Sequence, residues 1–132
     1  MTIRLLSRDP NTPSDVSLFD DAIRSIAREG KLCLACPYIS LNYLNQVIEG
    51  TSWRLLTDIE AWLPTQSTAQ RSRTVDFLRT HHASVRSFPQ LHAKVVIGVR
   101  TAMFGSANFT KKGVWKRAEV GEIGRASCRE RV

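Results

Sequence analysis

The chain has 132 residues, of which 42% are hydrophobic and 23% are charged. This composition is typical of one soluble globular domain and excludes a disordered chain, and no stretch approaches the roughly 20 apolar residues of a transmembrane helix. The formal net charge of +7 at pH 7 indicates a polyanionic partner, nucleic acid or anionic lipid, although solvated arginines alone would give the same balance. Charged residues interrupt the first ten positions, so no signal peptide is predicted and we expect a cytoplasmic location.

The first half of the chain alternates between short apolar segments and amphipathic segments. Ser14 or Asp15 is predicted to cap the first helix, and Ser40 the second, while Gly30 and Gly50 end them. The apolar segment at 31–36 has apolar residues on both faces, as strands of a parallel sheet covered by helices do. The predicted elements are strand 2–6, helix 16–27, strand 31–36, helix 41–48 and strand 53–59.

The second half is less regular at first and then becomes strand-rich. Residues 60–74 are polar, contain Arg71 and Arg73, and are predicted as a loop that either touches nucleic acid or is simply solvated. A helix is then predicted at 74–82. It is followed by predicted strands at 85–88, from His92 onward, at 102–104 and at 118–122, and the strand at 102–104 is expected to be antiparallel to its predecessor. The alternation predicts an α/β fold, a layered α/β/α sandwich around a mixed, largely parallel sheet.

Cys33 and Cys36 form a single CxxC pair at the end of an apolar strand. A zinc site would need a second pair or histidines at ligand spacing, and a redox pair would stand at a helix N-terminus. We therefore interpret both residues as buried thiols, which agrees with a reducing compartment and with the absence of a metal or other cofactor.

The residues that carry chemistry lie between positions 91 and 119. His92 and Lys94 lead into the apolar run 95–99, and on a strand residues two apart share a face. Ser106 and Asn108 follow a second short apolar segment, and the carboxylate of Glu119 lies eleven residues further on. An imidazole, an ammonium group, a hydroxyl and an amide are the groups needed to attack and hold a phosphate without a metal.

The order HxK, GSxN and a downstream glutamate resembles the phospholipase D superfamily, and more closely its bacterial nuclease branch. The resemblance implies a phospholipase D-like fold and a metal-independent phosphodiesterase with His92 as the nucleophile that forms a phosphohistidine. Lys94, Asn108 and Ser106 would then hold the phosphate oxygens, and Glu119 would fix the tautomer of a histidine. Ser106 could instead serve only the turn backbone, and Glu119 could be a surface carboxylate.

Four cationic residues crowd the segment just after Asn108 and are predicted to contact the flanking phosphates of nucleic acid, with DNA favoured over RNA. They are Lys111, Lys112, Lys116 and Arg117.

Two features of the sequence leave alternative functions and assemblies open. The family pattern has an aspartate five residues after the lysine, and Val99 stands there, which favours a catalytically inactive nucleic-acid-binding relative as the second hypothesis. A phospholipid phosphodiesterase is the third, although no apolar membrane-facing rim is visible. The family site uses two HxK motifs and this chain has one, so we expect a homodimer with the site at its two-fold axis, unless a second motif lies in a missing C-terminal part.

The last ten residues break the preceding pattern and resemble the translation of a sequencing adapter. We therefore expect a catalytic domain at 1–122, truncated at its C-terminus, followed by a non-native tail at 123–132. Without the three arginines and one glutamate of that tail, the chain has 16 basic and 11 acidic residues and a net charge of +5.

Overall fold

The structure, a computed structural model, describes residues 4–8, 17–106, 108 and 119–125, with the side chains of residues 8, 119–122 and 125 left out of the description. Within these ranges the strands are β1 (Arg4–Arg8), β2 (Lys31–Ala35), β3 (Ser52–Thr57), β4 (Val85–Ser87), β5 (Val95–Ile97), β6 (Thr101–Gly105) and β7 (Glu119–Arg125). The helices are α1 (Leu18–Ala27), α2 (Leu41–Ile48), α3 (Ile59–Trp62) and α4 (Thr68–Thr80), with 3₁₀ turns at Leu63–Thr65 and His82–Ser84.

The described strands form one mixed sheet in the order β1-β7-β6-β5-β2-β3-β4. β2 is parallel to β3, and β3 to β4, while the four other pairings are antiparallel. Following these pairings across the sheet, β1, β6, β2, β3 and β4 point the same way and β5 and β7 the opposite way. The mixed α/β class is therefore confirmed. The parallel pairings are confined to the βαβ part of the chain, because hairpin connections such as that between β5 and β6 can only give antiparallel neighbours.

The hydrophobic core lies on one face of the sheet. Leu34, Val96 and Met103 are opposite one another on β2, β5 and β6, and all three are buried. The apolar sides of α1, α2 and α4 join the same cluster, in which Trp53 of β3 stacks on Phe77 of α4 with the ring centroids 5.6 Å apart. Burial of these side chains is the main stabilising contribution, at about 25 cal/mol per Å² of apolar surface.

The opposite face of the sheet has a different character among the described residues. A transverse row runs from Leu5 through Phe104, Val95 and Ala35 to Leu56. Leu5 is 69% exposed and Phe104 is 48% exposed, and the other three are half-buried. None of these five residues belongs to the hydrophobic core of the described part of the chain.

The ends of α1 and α2 agree with the predicted glycines, and the start of α2 agrees with the predicted cap. α2 begins after Ser40, as predicted, and the chain turns beyond the first two helices at Gly30 and Gly50, whose φ angles of 101° and 72° favour glycine. The N-cap of α1 is Ser17, whose hydroxyl accepts from the Asp20 N–H at 3.2 Å, so the prediction of Ser14 or Asp15 is wrong.

The region 60–74 is helical rather than a loop over much of its length. α4 begins at Thr68 because Ser67 and Gln70 form a reciprocal capping box, in which each side chain accepts from the backbone N–H of the other. This Ser-x-x-Gln pattern is visible in the sequence, and it is the signal that would have placed the helix start correctly.

The two CxxC cysteines differ. Cys36 is buried and not in a disulfide, whereas Cys33 is half-buried and disulfide-bonded, so the expectation of two buried thiols is wrong for Cys33. None of the described helices has the length and apolar character needed to cross a membrane.

The last strand runs beyond its predicted end. β7 pairs with β1 as far as Ile123 and with β6 as far as Arg125, and Ile123 packs against the core. Because strand pairing is made by backbone groups, the pairing does not depend on whether residues 123–125 are native, and the boundary at Glu122 stays a prediction.

Candidate active site

The predicted catalytic residues come together at one edge of the sheet. β2, β3, β4 and β6 end at this edge, and β5 and β7 begin there. His92 and Lys94 precede β5, Ser106 and Asn108 follow β6, and the backbone of Glu119 starts β7. We call this the carboxyl edge, because the three parallel strands end there.

The register places Lys94 in the middle of this edge. Ala35 of β2 is opposite Val95 of β5, so the next pair outward brings Cys36 opposite Lys94. On the other side, the Gly105 N–H donates to the Lys94 carbonyl at 3.2 Å. With strands about 4.8 Å apart, Lys94 lies about one strand spacing from both Cys36 and Gly105.

The four described site residues differ in exposure. His92 and Ser106 are exposed, and Lys94 and Asn108 are half-buried. The strand predicted to begin at His92 begins three residues later, at Val95. Residues 88–94 instead form a connection, and the start of this connection is hydrogen-bonded to residues at the end of β3.

That connection is anchored by Asp58, which directly follows β3 and is buried. Its Oδ1 accepts from the Ala61 N–H at 3.1 Å and caps α3, and its Oδ2 accepts from the Gln90 N–H at 2.9 Å. Gln90 has a φ of 63°, a conformation that L-residues rarely adopt, so a specific hydrogen bond is needed to hold it. The Phe88 N–H donates to the Thr57 carbonyl at 2.8 Å. Two contacts from the end of β3 thus fix the start of the segment that carries His92.

Asn108 is held by a buried cysteine. The Cys36 thiol has two acceptors within hydrogen-bonding distance, the Asn108 Oδ1 at 3.4 Å, across 72 positions of sequence, and the Tyr38 carbonyl at 3.3 Å. Neither Cys36 nor Asp58 was predicted as a site residue. Both directly follow a strand of the parallel part of the sheet, and this position is the signal that could have found them.

The turn at the opposite end of the β5–β6 hairpin is bound by a carboxylate that is distant in the sequence. Val99 lies exposed in the hairpin turn, where the Glu29 Oε1 accepts from the backbone N–H groups of Arg100 at 2.8 Å and Thr101 at 3.3 Å. A Cβ at Gly98 would come within 2.5 Å of the same oxygen, so the close approach of Glu29 requires glycine there. Glu29, which lies just beyond α1, thus supplies a carboxylate to this turn.

Burial by itself raises the pKa of Glu29, but the N–H groups of Arg100 and Thr101 and the Thr101 side chain lower it more. The net pKa therefore lies below the ordinary value of a glutamate. The ionised carboxylate is the form that holds the turn.

The structure describes the remaining predicted site residues only in part. The side chain of Glu119 and all of Lys111, Lys112, Lys116 and Arg117 lie outside the described residues. Their predicted roles stay predictions. Among the described residues, no cluster of His, Cys, Asp and Glu is arranged to hold a metal ion.

The two arginines of the region 60–74 have different surroundings. Arg71 donates to the carbonyls of Leu63 and Gln66 and thus ties α4 to the preceding 3₁₀ turn. Arg73 lines a polar cavity of about 270 Å³ between α4 and the start of α2. Because α2 follows β2, this cavity lies beside the carboxyl edge, and both arginines are exposed.

The structure is similar to several solved structures, although the identities are low. NucT from Helicobacter pylori is 12% identical with a TM-score of 0.65, and the match covers 92% of this chain and 85% of NucT. Nuc from Salmonella typhimurium, a phospholipase D family member, is 16% identical with a TM-score of 0.64 over 92% and 81% of the two chains. A mutant of the yeast tyrosyl-DNA phosphodiesterase matches with a TM-score of 0.55 and 12% identity over 92% of this chain and 30% of that one.

No protein-family model matches the sequence, and no curated protein matches it significantly. The chain has the phospholipase D-like α/β fold. The fold expected from the HxK and GSxN residues is thereby confirmed.

Proposed function

We propose that the chain is a metal-independent phosphodiesterase that cleaves nucleic acid through a phosphohistidine on His92. The observation that carries the proposal is the position of His92, Lys94, Ser106 and Asn108 at a single edge of a phospholipase D-like sheet. The yeast neighbour is by its name a phosphodiesterase of a DNA adduct, which supports the same reaction class.

The reaction balances with the groups that are present. A neutral His92 ring nitrogen attacks phosphorus, a P–N bond forms, and the bond from phosphorus to the leaving oxygen breaks. A second histidine gives its proton to that oxygen, then takes one from the water that attacks the phosphohistidine and releases His92. Lys94 and the amide of Asn108 stabilise the charge that builds on the nonbridging oxygens, with Ser106 as a further donor. Glu119 would orient a histidine ring from the start of β7.

The second histidine is proposed to come from a second copy of the chain. The sequence has one HxK motif, and a two-fold axis beside the carboxyl edge would bring two His92 residues together in a homodimer. A second motif further along a longer chain is the competing arrangement.

The proposed substrate is DNA in preference to RNA, and the proposed location is the cytoplasm. Contacts to flanking phosphates come from Lys111, Lys112, Lys116 and Arg117 and from Arg73 in the polar cavity, and such contacts position a backbone without selecting a sequence.

The test is the cleavage of end-labelled DNA and RNA oligonucleotides in excess EDTA. We expect cleavage by the wild type, a loss of at least about 100-fold in His92→Ala, and little change in His82→Ala, which removes an exposed histidine at the end of α4. Strict dependence on added magnesium would refute the proposal. Tight, salt-sensitive binding without turnover would favour the inactive nucleic-acid-binding alternative. Choline release from phosphatidylcholine would favour the lipid alternative.

A further inference from the structure

Cys36 is a fully enclosed polar group at the carboxyl edge. It is 0% exposed, and it directly follows β2, where its N–H continues the sheet by donating to the Leu56 carbonyl at 3.0 Å. Its thiol is within hydrogen-bonding distance of the Asn108 Oδ1 at 3.4 Å and of the Tyr38 carbonyl at 3.3 Å, so its one S–H is shared between these two acceptors. A buried thiol therefore contacts the functional group of a proposed phosphate ligand.

The direction of this hydrogen bond determines what Asn108 can do. A carboxamide has one acceptor oxygen and one NH₂ group that donates. With Oδ1 on the thiol, the NH₂ group points away from Cys36 and is available to a substrate. In the reversed orientation Oδ1 would face the anionic phosphate, which accepts hydrogen bonds and cannot donate them.

The register makes the same contact relevant to Lys94. Cys36 is opposite Lys94 in the outward continuation of the β2–β5 pairing, so Asn108, in contact with Cys36, lies within about one or two strand spacings of Lys94. An NH₂ group and an ammonium group at this separation can serve the same phosphate.

We propose that Cys36 is a positioning residue that orients the Asn108 carboxamide, so that its NH₂ group donates to the nonbridging oxygens of the phosphate. The inference rests on the proposed function, since it assigns Asn108 to the substrate of that reaction. Cys36 acts through Asn108 and does not itself touch the phosphate. A thiol suits this place because it buries at low cost among apolar side chains and still carries a donor.

The experiment compares Cys36→Ser, which keeps a donor, with Cys36→Ala, which removes it, each alone and combined with Asn108→Ala. Donors of this kind are worth about 100-fold or more in kcat. For Cys36→Ala, in which Asn108 stays but loses its orientation, we expect a fall in kcat of about 5- to 30-fold with KM little changed. Cys36→Ser should stay within about 3-fold of the wild type. In the Asn108→Ala background, Cys36→Ala should have no further effect, because there is no carboxamide left to orient.

A second measurement does not depend on turnover. The NH₂ signals of Asn108 in a ¹⁵N–¹H NMR spectrum should shift and broaden in Cys36→Ala and return towards the wild-type position in Cys36→Ser. Thermal unfolding of each variant identifies any loss of kcat that comes from loss of the fold.

The outcomes separate this inference from the proposed function. If the wild type cleaves nothing, the proposed function fails, and unchanged Asn108 signals in Cys36→Ala would overturn the inference as well. If the wild type cleaves, the inference is overturned by a folded Cys36→Ala variant with full kcat, or by effects of the two substitutions that multiply independently.

Discussion

Asp58 and Gln90 show how single residues hold the segment that carries His92. The Asp58 carboxylate is buried and accepts one N–H from α3 and one from Gln90, and it thereby joins a helix start to the connection before β5. Both acceptor oxygens are used. Loss of this carboxylate would leave two N–H groups without their partner at the same time.

We therefore expect Asp58→Ala to lower the free energy of unfolding by about 2 kcal/mol, from the lost helix cap and the lost hydrogen bond to Gln90. Urea denaturation measures the change. Asp76→Ala, which removes an exposed carboxylate from α4, is the matched control and should change stability by less than about 0.5 kcal/mol. Equal effects of the two substitutions would contradict the assignment of Asp58 as an anchor.

The residues proposed to bind a phosphate were predicted from the sequence, whereas the residues that support them were not. His92, Lys94, Ser106 and Asn108 stand at short spacings beside apolar segments, so their pattern is local and readable. Cys36 and Asp58 act through contacts 72 and 32 positions away, and nothing in a single sequence states which distant backbone group a side chain will meet.

The β5–β6 hairpin is the element that carries both halves of the candidate site. Lys94 precedes its first strand, Ser106 follows its second, and the turn between the strands lies at the far end from the site. Glu29 holds that turn through two backbone N–H groups. The geometry of the hairpin, and hence the separation of the two motif halves, depends on this carboxylate.

Because hydrogen bonds lower the pKa of Glu29, its contribution to stability has a definite pH dependence. A depressed pKa in the folded state means that the stabilisation is fully present above the ordinary glutamate pKa of about 4.5 and is lost as the pH falls through the lower folded value. We expect Glu29→Gln to cost about 1 kcal/mol at neutral pH, less than for a fully buried group because Glu29 is partly exposed. The difference from the wild type should shrink below about pH 4.

Thermal unfolding between pH 3 and 7 measures this difference. Glu49→Gln, which makes the same change at an exposed carboxylate, is the control. A cost for Glu29→Gln that stays constant across this range would show that the carboxylate does not hold the turn.

The order of the elements was more predictable than the way they associate. The alternation of strands and helices up to β3 was read correctly, because each amphipathic stripe ends in a glycine or begins at a capping serine. The pairing of β1 with β7 was not predicted, since these strands lie at opposite ends of the described chain and are joined only through the sheet. The α/β/α layering depends on long-range packing of helices on the sheet. The hydrophobic periodicity of the sequence does not contain that information.

As a whole, the chain presents one motif at the carboxyl edge, and the proposed homodimer supplies the second. A composite site of this kind makes activity depend on both copies. One defective copy then inactivates the partner's His92 as well.

We therefore expect that unfolding and refolding wild-type chain with an equal amount of His92→Ala will lower the cleavage rate per wild-type chain to about half, because about a quarter of randomly formed dimers contain two intact copies. Mixing with His82→Ala should leave the rate per total chain unchanged. A rate per wild-type chain that is insensitive to His92→Ala would show that each chain builds its own site. Analytical ultracentrifugation of the mixtures reports whether dimers form.

The contact between Glu29 and the hairpin turn has a consequence for how such chains are found. A search pattern that demands an aspartate five residues after the HxK lysine rejects this chain at Val99, although a carboxylate binds the turn from a residue 70 positions earlier. At this turn the acceptor oxygen belongs to a residue that is distant in the sequence and adjacent in space.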